Sequence, residues 1–162
     1  MAVHLSRLLP LSLVVFFPAS CWCQNNTVPG EFLIDPPTLV SLGFAWKIAG
    51  DDNRNARVDV TYRRKGDAQW KKALPLLRLQ HEQVFGGVPR EGGNHYYSYV
   101  APNMFAGSIL NLEPGVEYEC RFVLSDPDGV KGKAQKTMTA RTRQEPQPAA
   151  GGHVYHVYPF DY

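Results

Sequence analysis

The sequence predicts an all-β domain: a two-sheet antiparallel β-sandwich with a long insertion between its third strand and the later ones. Three observations lead there. Leu112-Glu113-Pro114-Gly115 is a Pro-Gly turn that opens a run in which Tyr118, Cys120, Phe122 and Leu124 alternate with Glu117, Glu119 and Arg121. That is the period of a strand with one face in a core and one in water. Two further runs alternate in the same way, Gly43–Ile48 and Ala56–Arg63. Glycine (14) and proline (13) are plentiful and no long amphipathic helical period is present, so short strands and many turns are expected.

In chain order, Gln24 to about residue 35 is polar at its start and reads as a flexible lead, and Pro36-Pro37 opens the domain. Prolines there keep an edge strand from pairing with strangers. Thr38–Leu42 is the expected first strand. The second is Gly43–Ile48, with Phe44, Trp46 and Ile48 on one face and Ala45 and Lys47 on the other. Gly50-Asp51-Asp52-Asn53-Arg54-Asn55 is a turn, rich in side chains that bond their own backbone. In the third strand Val58, Val60 and Tyr62 face in, while Arg57, Asp59, Thr61 and Arg63 face out. Trp70 to about Leu79 reads as one more strand. His81–Asn103 is the least regular stretch, because Gly86-Gly87-Val88-Pro89 and Gly92-Gly93 interrupt any element. Strand character resumes over Phe105–Leu112, and a last strand is expected over Lys133–Thr142. Tyr118, just after the Pro-Gly turn, is placed to return its hydroxyl to the backbone upstream, the tyrosine corner of β-sandwiches. The core is expected to hold Trp46, Val60, Tyr62, Leu112, Tyr118, Cys120 and Phe122.

The flanks carry different signals. Arg7, the apolar run Leu8–Phe17 and the small residues Ala19 and Ser20 read as a secretory signal peptide over residues 1–23. The apolar run is shorter than the roughly 20 residues a membrane span needs. Localisation is therefore expected to be secreted or extracellular, and in a bacterial source the periplasm or an outer surface. Lipidation at Cys21 is the one route by which the chain would meet a membrane. Three cysteines, two of them at the signal boundary, do not make a disulfide framework, and Cys120 reads as a small buried hydrophobe. Asn25-Asn26-Thr27 matches the N-glycosylation acceptor pattern. Glu145–Gly152 has linker composition, and the aromatic ending Val154–Tyr162 reads as a tail or as the start of a further domain. The formal charge of +2 comes from scattered residues with no basic stripe, so no nucleic-acid partner is expected.

These residues together resemble a fibronectin type III domain, within the immunoglobulin-like group. The likeness runs over about residues 36–143: Pro36-Pro37, Trp46, Val58-x-Val60-x-Tyr62-Arg63, Trp70, Leu112-x-Pro114-Gly115-x-x-Tyr118 and Asp128-Gly129. It is similar to the divergent versions that precede secreted hydrolases and lyases, among them the N-terminal domains of purple acid phosphatases. Gly151-Gly152-His153-Val154-Tyr155-His156-Val157-Tyr158-Pro159 also looks like a junction into right-handed β-helix proteins of the pectate-lyase type. The resemblance implies a non-catalytic module that spaces, orients or docks a neighbouring domain of the same polypeptide, with no cofactor. The alternatives are an independent module binding a polysaccharide or a cell-surface protein, and, behind both, a phosphatase or lyase fragment.

Two clusters are candidate sites. Asp51, Asp52, Asp126 and Asp128 lie in loops that share one end of such a sandwich, and oxygen-rich loops suit a calcium ion, which takes six to eight oxygens; turn capping is the plainer use of the same residues. Tyr96, Tyr97 and Tyr99, with His95, suggest an aromatic platform for sugar rings, against packing of the insertion on the sandwich. His153 and His156 are three apart, which throws them to opposite faces of a strand, and His81-Glu82 is isolated. No nucleophile elbow, phosphate-cradling loop or metalloprotease helix is present in the sequence.

Overall fold

The computed structural model describes residues 24–90, 93–153, 155 and 156, with the side chains of 88–95 left undescribed. The signal peptide expected over 1–23, with Cys21 and Cys23, Gly92 of the Gly-rich stretch, and Val154, Val157, Tyr158, Phe160 and Tyr162 of the apolar ending lie outside the described residues.

The described residues form ten strands: β1 (Val28–Ile34), β2 (Leu42–Ala49), β3 (Arg57–Arg64), β4 (Lys71–Lys72), β5 (Leu77–Leu79), β6 (Gln83–Arg90), β7 (Gly93–Val100), β8 (Met104–Ile109), β9 (Glu117–Ser125) and β10 (Gln135–Arg141). They make a two-sheet antiparallel β-sandwich. One sheet has the order β1-β2-β8-β5, the other β10-β9-β3-β4, and among the described strands β6 and β7 pair with each other as a two-stranded sheet. Phe44, Trp46 and Ile48 of β2, Val58 and Val60 of β3, Phe105 and Ile109 of β8, and Tyr118, Cys120, Phe122 and Leu124 of β9 fill the space between the sheets, with Leu112 beside them. Tyr62 is half-buried against this core. The expected core residues thus all stand where the alternation placed them.

The rings carry the contact between layers. Phe122 of one sheet meets Phe44 of the other at 4.7 Å and Phe32 at 4.9 Å between centroids, and Phe32 lies edge-on to Trp46 at 5.5 Å. Burial pushes the Cys120 thiol up to about 12, which keeps it protonated and inert at neutral pH.

The tyrosine corner is formed. The Glu113 N–H donates to Tyr118 Oη at 3.0 Å, and Tyr118 is buried. Gly115 takes φ +70, the left-handed conformation that the third residue of a Pro-Gly type II turn requires. Thr142 completes the corner: its hydroxyl donates to Glu113 O at 2.6 Å and accepts from Val116 N at 3.0 Å.

Four expectations are corrected. The segment expected as a flexible lead is β1, so the sandwich begins at Val28 and not at Pro36. Phe32 anchors it in the core, and the register shift between Pro29 and Phe32 hides its alternation. Thr38–Ser41, expected as strand, is a turn in which Thr38 Oγ1 accepts from Ser41 N at 2.9 Å and Val40 N at 3.2 Å. The segment expected as a single strand from Trp70 to Leu79 divides between the sheets, β4 pairing with β3 and β5 with β8, with Leu74-Pro75 at the crossing. Gly86 and Gly87 do not interrupt the insertion; β6 runs through both. Tyr97 lies across from Gly86, where a Cβ would strike its ring, so glycine here makes room for an aromatic on the facing strand.

Replacing Tyr118 by Phe is expected to leave the Glu113 N–H without its partner and to lower stability by about 1–2 kcal/mol. A fall in the urea midpoint at unchanged m-value checks it.

Candidate functional site

One pole of the sandwich gathers the segment 24–27, the loop after β2, the loop after β9 and the base of the β6–β7 ribbon. Backbone bonds join the first three. Asp52 N donates to Gln24 O (3.2 Å), Thr27 N to Gly129 O (3.0 Å) and Lys131 N to Thr27 O (2.8 Å). Thr27, the last residue of the acceptor pattern, is fully buried, and its hydroxyl donates to Asp126 Oδ2 at 2.5 Å.

Asp51 is the centre of this pole. It is fully buried and sits at φ +54, a left-handed conformation that Asp tolerates and that follows Gly50 at φ +77. Its Oδ1 accepts from Asn55 N at 2.9 Å and Ala56 N at 3.0 Å. Its Oδ2 takes the Nε–H of Arg78, whose Nη2 also donates to Asp51 O at 3.2 Å. The Arg78 guanidinium lies 5.3 Å over the Phe105 ring. This pair ties the loop after β2 to β5 and hence to the root of the ribbon. Arg54, also left-handed at φ +57, reaches Glu82 at that root. Asn103 Nδ2 donates to Gly50 O at 2.9 Å on the other side of it. The Gln80 N–H, ahead of the Arg54 guanidinium, holds the Glu82 carboxyl below the usual range.

The four carboxylates proposed for a cation are thus brought to one pole and put to other uses. Asp52 Oδ2 accepts from Gln24 N at 2.6 Å. Asp126 Oδ1 accepts from Asp128 N at 2.7 Å. Asp128 Oδ2 takes the side-chain amides of Asn53 at 2.7 Å and Asn55 at 2.9 Å, and these hold its carboxyl below the ordinary value. Among the described residues no group of three or more His, Cys, Asp or Glu could hold a metal ion. The cation reading of Asp51, Asp52, Asp126 and Asp128 is therefore corrected to loop bracing, because lone pairs aimed at N–H groups are not available to an ion.

From this pole the β6–β7 ribbon extends, with Ala101 N bonded to Glu82 O at its root (2.9 Å). Residues that pair across an antiparallel ladder share a face. Tyr96 pairs with Gly87, Tyr97 with Gly86 and Tyr99 with Val84. Tyr97 and Tyr99 therefore share one face, and Tyr96 stands on the other. The three tyrosines do not form a single platform. Tyr96 instead stacks on Phe85, at 5.9 Å between centroids and 12° between planes, and Phe85 is an aromatic that the sequence reading left out. All four rings are more than half exposed. The missed signal was the spacing of Phe85 and Tyr96 about a Gly-rich turn, which a hairpin register converts into neighbours.

Outside the poles the two sheets differ. The outer face of β10-β9-β3-β4 carries Arg63, Glu119 and Arg121, with the Trp70 ring between the two guanidinium groups at 4.6 and 4.1 Å. Arg63 Nε also donates to Glu119 Oε2 at 2.5 Å. The outer face of β1-β2-β8-β5 has an apolar row, Leu33, Ala45, Ala106 and Leu77, in register across all four strands. His153 and His156 are exposed, and His153 lies 6.5 Å from the Tyr155 ring.

Replacing Asp51 by Ala is expected to cost about 3–5 kcal/mol, since it leaves a nearly buried guanidinium unpaired and two loop N–H groups unmet. Chemical denaturation of the variant against the parent gives the figure.

No protein-family model matches the chain. No curated protein matches it. Among solved structures, a computer-redesigned β-sandwich protein is similar at 16% identity, over 72% of this chain and 95% of that chain, with a TM-score of 0.39. The fold class rests on the chain's own sheets and their register.

Proposed function

We propose that this chain is a non-catalytic, extracellular accessory module of the fibronectin type III kind, which spaces, orients or docks a neighbouring domain of the same polypeptide. The observation that carries this reading is where the described ends leave the sandwich. Gln24–Thr27 is bonded to the loops after β2 and β9 at one pole. Arg143 N bonds Thr38 O (2.9 Å) and Arg143 O accepts from Gly115 N (2.9 Å) at the other. A body fixed by backbone bonds at both poles sets the direction in which the polypeptide leaves it after Arg143. The tyrosine corner and the two four-stranded sheets support the family likeness, and the bracing use of the polar residues at the first pole supports a structural role for them. A neighbouring carbohydrate-active β-helix domain is the partner this reading favours.

Spin labels at Gln24→Cys and Gln144→Cys, in a chain with Cys21 and Cys23 replaced by Ser, are expected to give one narrow distance distribution. Cys120 is buried and takes no label. A broad or bimodal distribution, or turnover of polysaccharide or phosphate-ester substrates by the purified chain, would sink the reading.

A second reading, a polysaccharide-binding module, is favoured by the exposed rings of the ribbon. Aromatic faces suit the apolar faces of sugars, and the ribbon presents Phe85 with Tyr96 on one side and Tyr97 with Tyr99 on the other. Tyr96→Ala and Tyr97→Ala are expected to weaken retention on an insoluble-glycan column; equal retention of parent and variants counts against it.

A further inference from the structure

We propose that the outer face of β10-β9-β3-β4 is a docking surface for an acidic polysaccharide, whose carboxylates seat on Arg121 and Lys72 beside Trp70. The register puts the two cations in one line. Thr137 of β10 pairs with Arg121 of β9, Arg121 with Thr61 of β3, and Thr61 with Lys72 of β4. Paired residues share a face, so each of the four strands contributes one side chain to a single row across the sheet. Arg121 and Lys72 stand two strands apart, roughly 10 Å. That separation suits successive charges on a polymer laid across the strands, and it exceeds the span of one small anion.

Charge complementarity makes the occupant an anion. The carboxylates of this face are matched by cations of the same face. Asp59 meets Arg57 at 2.6 Å, Glu119 meets Arg63 at 2.5 Å and Glu117 meets Lys65 at 3.1 Å. Beyond those pairs the face holds Arg121, Lys72 and Arg141, the last 4.0 Å from Glu117. The balance of these charged groups is positive, and a negatively charged chain is drawn to it.

Arg121 is prepared for such a ligand. Its guanidinium lies 4.1 Å over the Trp70 ring, and Arg63, tied to Glu119, lies 4.6 Å over the same ring. Stacking fixes the guanidinium plane, so less side-chain freedom is lost when a carboxylate binds. The Nε of Arg121 is buried and meets no acceptor among the described residues. Folding has therefore taken part of this cation out of water, at a cost that a ligand's carboxylate offsets.

A sugar chain fits this face better than an acidic peptide does. The backbones of β10, β9 and β3 are bonded to one another, so a peptide laid on the flat of the sheet finds no ladder to join. A polysaccharide needs none. Thr137 and Thr139, exposed on the same face, offer hydroxyls to its hydroxyls, while Arg121 and the exposed Lys72 take its carboxylates. The surface is separate from the ribbon and goes beyond the spacing role, so the spin-label result stands whichever way this one falls.

Titration calorimetry of the purified chain with a galacturonate oligomer is expected to show binding that fades as salt approaches about 0.5 M. Arg121→Gln is expected to weaken it roughly tenfold, by removing the guanidinium that a carboxylate engages. Lys72→Gln, at an exposed position that leaves the core untouched, is expected to weaken it several-fold and keeps the test decisive where Arg121→Gln disturbs folding. Tyr96→Ala and Tyr97→Ala are expected to bind as the parent does. Absence of binding, affinity indifferent to Lys72→Gln and Arg121→Gln, or loss of binding in the ribbon variants alone overturns the proposal. Polyglutamate binding as tightly as the galacturonate oligomer overturns it too, by making the face a site for acidic peptides.

Discussion

The packing of Phe122 between Phe44 and Phe32 is the contact on which the rest depends. It joins the middle of one sheet to the middle and the edge of the other. The core has no cross-link: its one cysteine is free and buried. Closure therefore rests on apolar area and ring geometry, with aromatic pairs adding about 0.5–1.5 kcal/mol each beyond their burial. Phe32 recruits β1, and β1 brings Thr27 under the loop after β9. A single ring at an edge position thus converts an otherwise polar N-terminal stretch into part of the fold.

The two poles are built by different means. At the exit pole the work is done by backbone shape, a glycine with positive φ and a tyrosine hydroxyl that accepts one N–H. At the opposite pole it is done by carboxylates. Asp51 organises its own loop and neutralises Arg78, and through Arg78 it holds the strand that leads into the ribbon. Burial of a charged pair is tolerated there because the lone pairs and guanidinium protons meet further partners, including Leu79 O and the face of Phe105. The outcome is a stiff platform under a ribbon that has little of its own to hold it. That division, a braced base and an open tip, is the arrangement expected of a body that presents something.

Much of this was legible from residue order. Alternation over 43–48, 57–63 and 117–124 placed the inward side chains of β2, β3 and β9, because a strand with one wet face leaves no other choice of register. The Pro-Gly turn followed by Tyr118 specified its own corner, since the turn and the hydroxyl partner are five residues apart. The sharing of one pole by Asp51, Asp52, Asp126 and Asp128 also followed from the expected fold. Their role did not, because whether a carboxylate faces an ion or an N–H depends on backbone traced by residues far away.

What the sequence determined by itself was local: which residues alternate, where the chain turns, and that two apolar faces must meet. Tertiary structure decided three things. Residues 28–34 became a strand because Phe32 found a place beside Trp46 and Phe122, a contact across about 90 residues of chain that no local pattern announces. Residues 70–79 split between the sheets because β3 and β8 each offered an edge. The Gly-rich insertion became a ribbon in which Gly86 and Gly87 stand opposite Tyr97 and Tyr96. In every case a weak local preference was overruled by a partner distant in sequence, and only the folded chain brings such partners together.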